Sequence, residues 1–188
     1  MRIYIRDHRA KLSLIETLSG GGIAIAPCDT IYGIVGRAPD TESRIRGVKG
    51  RDETNPFLVL IGSLDQLESV ATQPLDDELA ALWPGPVTFI LSRGEGTAAV
   101  RLPADPFLRE VVVKVGAPIY STSVNRSGEP PLGAIDRIVA EFEDAVDLVI
   151  DGGDLHGRTP STILDVTKRP YRIIRQGAGA IPPELLEG

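Results

Sequence analysis

The sequence has one cysteine, two histidines and no long apolar run, and each shortage excludes a class of protein. Cys28 alone cannot form an internal disulfide or a metal site built from several cysteines. His8 and His156 are too few to indicate a zinc centre, so we expect no metal bound by protein ligands. The apolar runs are shorter than a membrane span, and the first residues lack the apolar core of a secretory signal. We therefore expect a cytoplasmic protein with no membrane contact.

The charge and length bound the function and the size of the fold. A formal net charge of −6 argues against a protein that holds nucleic acid mainly through a broad basic face. The 188 residues favour one domain, 1–188, with a full hydrophobic core. We expect the last residues, 180–188, to form a loose tail.

Candidate strands and helices alternate irregularly along the chain, and hairpins interrupt the alternation. The apolar run 23–26 indicates a strand that is buried on both faces. The segments 87–91 and 98–102 indicate two strands joined by a turn. The pattern predicts an α/β protein with a mixed sheet rather than a purely parallel one.

The segment before the first buried strand predicts an amphipathic helix. Asp7 is a suitable N-cap, and Leu12, Ile15 and Leu18 follow on one stripe. The residues after the strand, 27–36, are typical of a loop.

A row of polar side chains marks the end of the candidate strand 119–123. Alternate side chains of a strand share a face, so Ser121, Ser123 and Asn125 point the same way. Uncharged hydrogen-bonding groups in line suit a ligand rich in oxygens, such as a phosphate chain. The same residues also fit a polar strand end that runs into a turn.

Two cations, Lys49 and Arg51, lie on either side of Gly50 after a candidate helix. Arginine binds a carboxylate or a phosphate bidentately, and lysine acts as a mobile point charge. Gly50 allows the backbone to turn so that both side chains reach one anionic ligand.

The loop after the first buried strand carries Cys28, Asp29, Thr30 and Tyr32. Thr30 offers a hydroxyl and Tyr32 an aromatic wall, whereas a purely local role for Asp29 and Thr30 in the turn fits equally well. Cys28 has no base near it in the sequence, which favours a packing residue over a nucleophile.

Ser161 and Arg175 are further candidates near the end of the chain. Arg175 can neutralise a phosphate, and a surface arginine is the alternative that spacing leaves open. The sequence has no Walker-type loop and no Rossmann fingerprint, so a bound nucleotide would be held by another design.

Six short segments together resemble the YrdC-like threonylcarbamoyl-AMP synthase family. Each is weak alone, but they keep the order and spacing of the family from about residue 10 to residue 178. They are PCDTIYG (27–33), KGR (49–51), WPGPVT (83–88), AVRLP (99–103), STSVNRSG (121–128) and STILD (161–165).

The resemblance implies a twisted, mixed, open α/β sheet flanked by helices, with a large concave cavity. It implies an enzyme that makes L-threonylcarbamoyl-adenylate from L-threonine, bicarbonate and ATP, assisted by Mg²⁺, and that releases pyrophosphate. It also implies a partner complex that transfers the threonylcarbamoyl group to tRNA, with weak or indirect contact between this chain and the tRNA.

The resemblance also assigns roles to residues of this sequence. Lys49 and Arg51 would be catalytic and would contact both the amino-acid and the nucleotide substrate. Arg101 would lie by the same cavity, with a structural salt bridge as the alternative. The remaining residues implied for L-threonine and bicarbonate are Thr30, Tyr32, Thr122 and Ser123, and those for ATP are Ser121, Ser123, Asn125, Ser161 and Arg175.

Two departures from the family pattern bear on the substrate. Cys28 stands where the family usually has threonine, and Asp52 stands where a proline commonly follows the lysine–arginine motif. Two alternatives are therefore kept open. One is adenylation of a different carbamoyl compound, and the other is a non-catalytic module that binds tRNA or double-stranded RNA, which the net charge opposes.

Overall fold

The computed structural model describes residues 1–50 and 56–187, and Arg51 and Asp52 lie outside them. Within these residues the strands are β1 (Arg2–Tyr4), β2 (Ile23–Pro27), β3 (Tyr32–Arg37), β4 (Leu58–Leu60), β5 (Val87–Arg93), β6 (Gly96–Arg101), β7 (Ile119–Ser123), β8 (Leu148–Asp151), β9 (Thr162–Asp165) and β10 (Arg172–Arg175). The helices are α1 (Ala10–Ser19), α2 (Glu42–Lys49), α3 (Asp77–Ala80), α4 (Pro106–Val115) and α5 (Ile135–Phe142).

The strands form one sheet in the order β1-β8-β2-β3-β7-β4-β6-β5-β9-β10. Four neighbouring pairs are parallel, namely β1 with β8, β8 with β2, β4 with β6, and β5 with β9. The other five are antiparallel, including the predicted hairpin of β5 and β6. The prediction of a mixed α/β sheet is therefore confirmed.

Strand β2 shows how the sheet separates two hydrophobic clusters. Ala24 and Ala26 pack with Leu14 of α1 on one face. Ile23 and Ile25 belong to a second cluster that includes residues of α2 and α5 on the other face. Because alternate side chains of a strand point to opposite faces, a short apolar run serves both clusters.

The α1 prediction is correct about the helix, about Leu18, which is buried, and about Ile15, which packs against the same cluster, but it is wrong about Leu12. Leu12 is 58% exposed, and the buried residues are Ala10, Leu14 and Leu18. The helix begins after Arg9, whose N–H donates to the Asp7 carboxylate before the first turn. The helix therefore starts two residues later than the Asp7 cap implied, and its buried positions repeat every four residues.

The prediction of a loop over 27–36 is wrong for most of its length. Only a tight turn separates β2 from β3, and Asp29 within it has a φ of 55°. Strand β3 is central, paired with β2 on one side and with β7 on the other. At Gly33 a Cβ atom would lie 2.7 Å from the Cys28 sulfur, so this glycine permits the close packing of the turn.

The prediction of a loose tail over 180–188 is wrong for the described part of that segment. Leu185 is 2% exposed and belongs to the hydrophobic cluster beneath β5, β6 and β9. Ile181 and Leu186 pack against the same cluster, and a 3-10 helix covers Pro183–Leu185. The apolar residues of the tail hold it against the sheet.

Each helix in the described part of the chain is too short or too polar to cross a bilayer.

Candidate functional site

A cavity of about 250 Å³ lies over the central strands of the sheet, and most of the predicted site residues line it. Its walls come from β3, β4, β5, β6, β7, β9 and β10, with the turn at 28–31. The predicted residues that line it are Thr30, Tyr32, Arg101, Ser121, Thr122, Ser123, Ser161 and Arg175. Lys49 and Asn125 lie beside Ser123 rather than in the lining, and Arg51 lies outside the described residues.

Arg101 is the most buried cation of this cavity, at 2% exposure. Its guanidinium donates to the Thr30 hydroxyl at 3.2 Å and to the Cys28 carbonyl at 3.1 Å. It also forms an ion pair with Asp29, with Nη2 and Oδ1 3.1 Å apart. Arg101 therefore lies by the cavity and makes a structural salt bridge, so both interpretations of this residue apply together.

Asp29 holds the turn that presents Thr30 to the cavity. Its second carboxylate oxygen accepts from the Ala104 N–H at 2.9 Å. Burial raises the pKa of Asp29, while the Arg101 charge opposes that rise. The turn is thus fixed by a buried ion pair, and the orientation of Thr30 depends on that pair.

Arg175 and Ser161 also line the cavity. The Arg175 guanidinium donates to the Ser161 carbonyl at 2.8 Å and approaches its hydroxyl at 3.4 Å. The Ser161 hydroxyl is 2.8 Å from that of Thr88, which also lines the cavity. These contacts join β9, β10 and β5 at one end of the site.

The cavity concentrates positive charge. Burial lowers the pKa of Arg175, and the positive charge of Arg101 lowers it further. Arg101 is already paired with Asp29, whereas Arg175 is partly exposed and bonds to the Ser161 carbonyl, so the charge of Arg175 is the one that an anionic ligand would meet. The arrangement is therefore suited to a ligand that carries carboxylate or phosphate oxygens.

Lys49 is buried at 4% exposure and points toward the end of β7. Its ammonium group donates to the Ser123 carbonyl at 2.7 Å and to the Asn125 side-chain oxygen at 2.9 Å. The Ser123 hydroxyl is 3.4 Å from the same nitrogen. The structure thus brings together the lysine of one sequence motif and the serine–asparagine row of another.

Asn125 lies beyond the last residue of β7, and its side chain is already bonded to the protein. Its oxygen accepts from Lys49 and from the Ser123 hydroxyl. Its NH₂ group donates to the carbonyls of Arg126 and Glu129. In this geometry Asn125 orients Lys49 and Ser123, and its role toward ATP stays a prediction.

Tyr32 lines the cavity, but its hydroxyl does not serve a ligand. The hydroxyl donates to the Gly153 carbonyl and accepts from the Gly152 N–H, both at 2.8 Å. Burial raises the pKa of Tyr32 to about 12, so the hydroxyl keeps its proton. The residue acts as a wall and ties β3 to the segment after β8.

Cys28 is 2% exposed, and burial raises the pKa of its thiol to about 11. Because the thiolate is the reactive form, this cysteine is inert at neutral pH. The interpretation of Cys28 as a packing residue agrees with these properties.

Sequence reasoning did not assign a role to Thr88. It is 1% exposed and stands between the buried residues Val87 and Phe89 in β5. A hydroxyl in an otherwise apolar buried strand was the available signal, because buried polar groups need a partner.

The family model of Sua5/YciO/YrdC, described as telomere recombination, matches residues 16–177. A threonylcarbamoyl-AMP synthase of Pyrococcus abyssi is 32% identical over 89% of this chain. This chain spans only 53% of the length of that relative. A threonylcarbamoyl-AMP synthase of Chromohalobacter salexigens is 33% identical, and the match covers 81% of this chain and 90% of that protein.

Solved structures agree with the sequence matches. The structure of P. abyssi Sua5 complexed with L-threonine has a TM-score of 0.84 at 27% identity, over 94% of this chain and 57% of the other. Escherichia coli YciO has a TM-score of 0.82 at 25% identity and covers 97% of this chain and 98% of its own. The family match over most of the chain and the shared sheet lead to one conclusion: the chain belongs to the Sua5/YciO/YrdC family.

Proposed function

We propose that this chain is a threonylcarbamoyl-AMP synthase, which makes L-threonylcarbamoyl-adenylate and pyrophosphate from L-threonine, bicarbonate and ATP. The observation that carries the proposal is the cavity in which Arg101 and Arg175 meet several serine and threonine hydroxyls. The threonine carbamate and ATP, which must meet there, are both anionic. Relatives named threonylcarbamoyl-AMP synthase and the L-threonine complex of P. abyssi Sua5 support this choice of reaction.

The reaction needs two bond-forming steps. The amino nitrogen of L-threonine adds to the carbon of bicarbonate and water leaves, which gives a carbamate. A carbamate oxygen then attacks the α-phosphorus of ATP, and the bond from that phosphorus to the bridging oxygen breaks to release pyrophosphate. The carbamate is itself the nucleophile, so a protonated Cys28 is no obstacle.

The main task of the protein is to hold two anions together and to stabilise the charge that develops between them. We assign this task to Lys49 and Arg51. Lys49 is held at the end of β7 beside Ser123, which lines the cavity. The assignment of Arg51 rests on its place in the sequence, two residues after Lys49.

We assign the amino-acid end of the cavity to Thr30, Thr122 and Ser123, with Tyr32 as its wall. Arg101 fixes Thr30 through a hydrogen bond, while its own charge is paired with Asp29. The Thr30 hydroxyl donates to the Cys28 carbonyl, so its remaining acceptor capacity faces the ligand.

We assign the nucleotide end to Ser121, Ser161 and Arg175, with Ser123 shared between the two substrates. The bond from Arg175 to the Ser161 carbonyl keeps its guanidinium beside the cavity, although the residue is partly exposed to solvent. Asn125 contributes by orienting Lys49.

Mg²⁺ enters this proposal as part of the ATP substrate. Groups of three or more acidic, histidine or cysteine side chains that could hold a metal are not found within residues 1–50 and 56–187. Mg²⁺ gives up its water reluctantly and is commonly held by substrate phosphates. The product is a reactive mixed anhydride, so a second enzyme has to use it before water hydrolyses it. We propose that this partner is a threonylcarbamoyl transferase complex that acts on tRNA in the cytoplasm.

Pyrophosphate release tests the proposal. We expect release from ATP only when L-threonine and bicarbonate are both present. Release without either one, or no release at all, would contradict the proposal. If no pyrophosphate is released, competition among carbamoyl compounds tests adenylation of a different substrate. Binding of bare RNA that persists in the Lys49→Ala, Arg51→Ala double variant would instead support the RNA-binding module.

Two variants then test the site within the same assay. Lys49→Ala should lower turnover by about 10² or more, because it removes a charge contact to the transition state. Ser123→Ala removes a neutral hydrogen bond worth about 1 kcal/mol and should lower turnover about fivefold. Lys114→Ala is the control for removing a lysine from the last turn of a helix, since Lys114 occupies that place in α4 as Lys49 does in α2, although Lys114 is exposed and Lys49 is buried. Equal activity of Lys49→Ala and Lys114→Ala would refute the assignment of Lys49.

A further inference from the structure

The C-terminal end of α2, which carries Lys49, is held by the segment that follows β7. The Ser127 N–H donates to the Lys49 carbonyl at 3.0 Å. The Arg126 guanidinium donates to the Val48 carbonyl at 2.8 Å. Carbonyl groups at the end of a helix lack partners within the helix, so outside donors such as these fix its last turn.

Arg126 is itself anchored on a third element, α5. Its Nε lies 3.3 Å from a Glu141 carboxylate oxygen, and its guanidinium carbon lies 4.9 Å from the centre of the Phe142 ring. The side chain thus links α2, the segment after β7 and α5. A planar guanidinium suits this place because it can donate in several directions and stack on an aromatic ring.

The same segment supplies the inward contacts of Lys49. Ser123 and Asn125 accept from its ammonium group, while Arg126 and Ser127 hold the carbonyls of the turn from which the side chain extends. These contacts therefore fix both the backbone and the ammonium group of Lys49. Fraying of the last turn would move the ammonium group relative to Ser123.

We infer that Arg126 is a positioning residue that sets the place of Lys49 in the active site by clamping the C-terminal end of α2. This inference rests on the proposed function of Lys49. Arg126 touches neither substrate in this account and acts only through the helix end. A displacement of a catalytic group by about 1 Å can cost up to about 10²-fold in rate, so loss of the clamp should be visible in turnover.

The kinetic test compares Arg126→Ala, Arg126→Lys and Arg44→Ala. Arg44 is the matched control, because its side chain is 48% exposed, as is that of Arg126, and it too bonds a backbone carbonyl and a carboxylate. We expect Arg126→Ala to lower kcat about tenfold with a change of less than about twofold in KM for L-threonine. Arg126→Lys should recover most of kcat, since lysine keeps a donor for Val48, and Arg44→Ala should match the parent protein.

A double-mutant cycle separates positioning from general damage. In a Lys49→Ala background the further change Arg126→Ala should have little effect, because there is no ammonium group left to position. An undiminished tenfold loss in that background, or a kcat for Arg126→Ala equal to that for Arg44→Ala, would overturn the inference.

A hydrogen-exchange measurement tests the clamp without relying on the proposed function. Arg126→Ala should speed amide exchange in the 42–50 segment, while Arg44→Ala leaves the last turn unchanged. If the parent protein releases no pyrophosphate, the proposed function fails, and this exchange measurement still decides whether the clamp exists. Unchanged exchange at the end of α2 would overturn the clamp. Should Arg126→Ala not fold, Arg126→Gln takes its place in each comparison.

Discussion

The ion pair between Arg101 and Asp29 makes a prediction about stability that can be worked from the structure. Arg101 is 2% exposed and the Asp29 side chain 10%. Arg101→Met keeps most of the volume but removes the donors to Thr30, the Cys28 carbonyl and Asp29. Removing one partner of a buried ion pair costs about 3–5 kcal/mol, because the other charge stays buried without compensation.

The expected loss lies near the lower end of that range. Asp29 keeps its hydrogen bond from the Ala104 N–H, and it can take up a proton. The assay is urea unfolding of the parent protein, Arg101→Met, Asp29→Asn and the double variant at pH 7. We expect Arg101→Met to lose about 3 kcal/mol in free energy of unfolding, and the double variant to lose less than the sum of the single changes.

The pH dependence of the loss has a fixed sign. Without Arg101 the folded-state pKa of Asp29 rises further above its ordinary value, because the Arg101 charge no longer opposes the effect of burial. A raised folded-state pKa means that stability falls as the pH rises through that window, so the deficit of Arg101→Met should be smaller at pH 5 than at pH 7. A loss below about 1 kcal/mol, or strictly additive single changes, would refute the reasoning.

Three further predictions follow from local geometry. The hydrogen bond with Arg46 lowers the pKa of Glu42. Glu42→Gln should therefore lower the free energy of unfolding by about 0.5 kcal/mol at pH 7 and leave it unchanged at a pH low enough to protonate the glutamate. A loss that does not change with pH would contradict this. Cys28, with a pKa of about 11, should resist a thiol reagent in the folded protein at pH 7 and react fully in urea, and rapid labelling of the folded form would contradict its burial. Gly33→Ala should lower the free energy of unfolding by about 1–3 kcal/mol because its Cβ would meet the Cys28 sulfur at 2.7 Å. Gly47→Ala, on a helix with nothing within 4 Å, should be stabilising, and equal effects of the two changes would contradict the packing argument.

Elements with strong local signals could be predicted from the sequence. The apolar run of β2 and the hairpin of β5 and β6 appear in the structure as their patterns indicate. Strand β3 was missed because its glycines and the preceding turn residues resemble a loop. It pairs with its neighbour β2 and also with β7, whose residues are more than eighty positions away in the sequence.

The features of the site also divide into those that the sequence predicts and those that it does not. The approach of Lys49 to Ser123 follows from two motifs that each suggest an anion site, although neither gives the distance. The partners of Tyr32 and Asn125 could not be predicted, because their hydrogen bonds depend on how distant segments pack. A polar side chain in a sequence motif can serve the ligand or the protein, and the sequence alone does not distinguish the two.

The synthesis of a threonylcarbamoyl-adenylate is the central claim, and transfer of labelled carbon tests it most directly. The protein is incubated with ¹³C-bicarbonate, L-threonine and ATP, and the mass of the adenylate product is measured by mass spectrometry. The account predicts an adenylate that contains threonine and one ¹³C atom, formed together with pyrophosphate and absent when L-threonine is omitted. Pyrophosphate released without ¹³C in the adenylate, or a labelled adenylate that does not contain threonine, would contradict it.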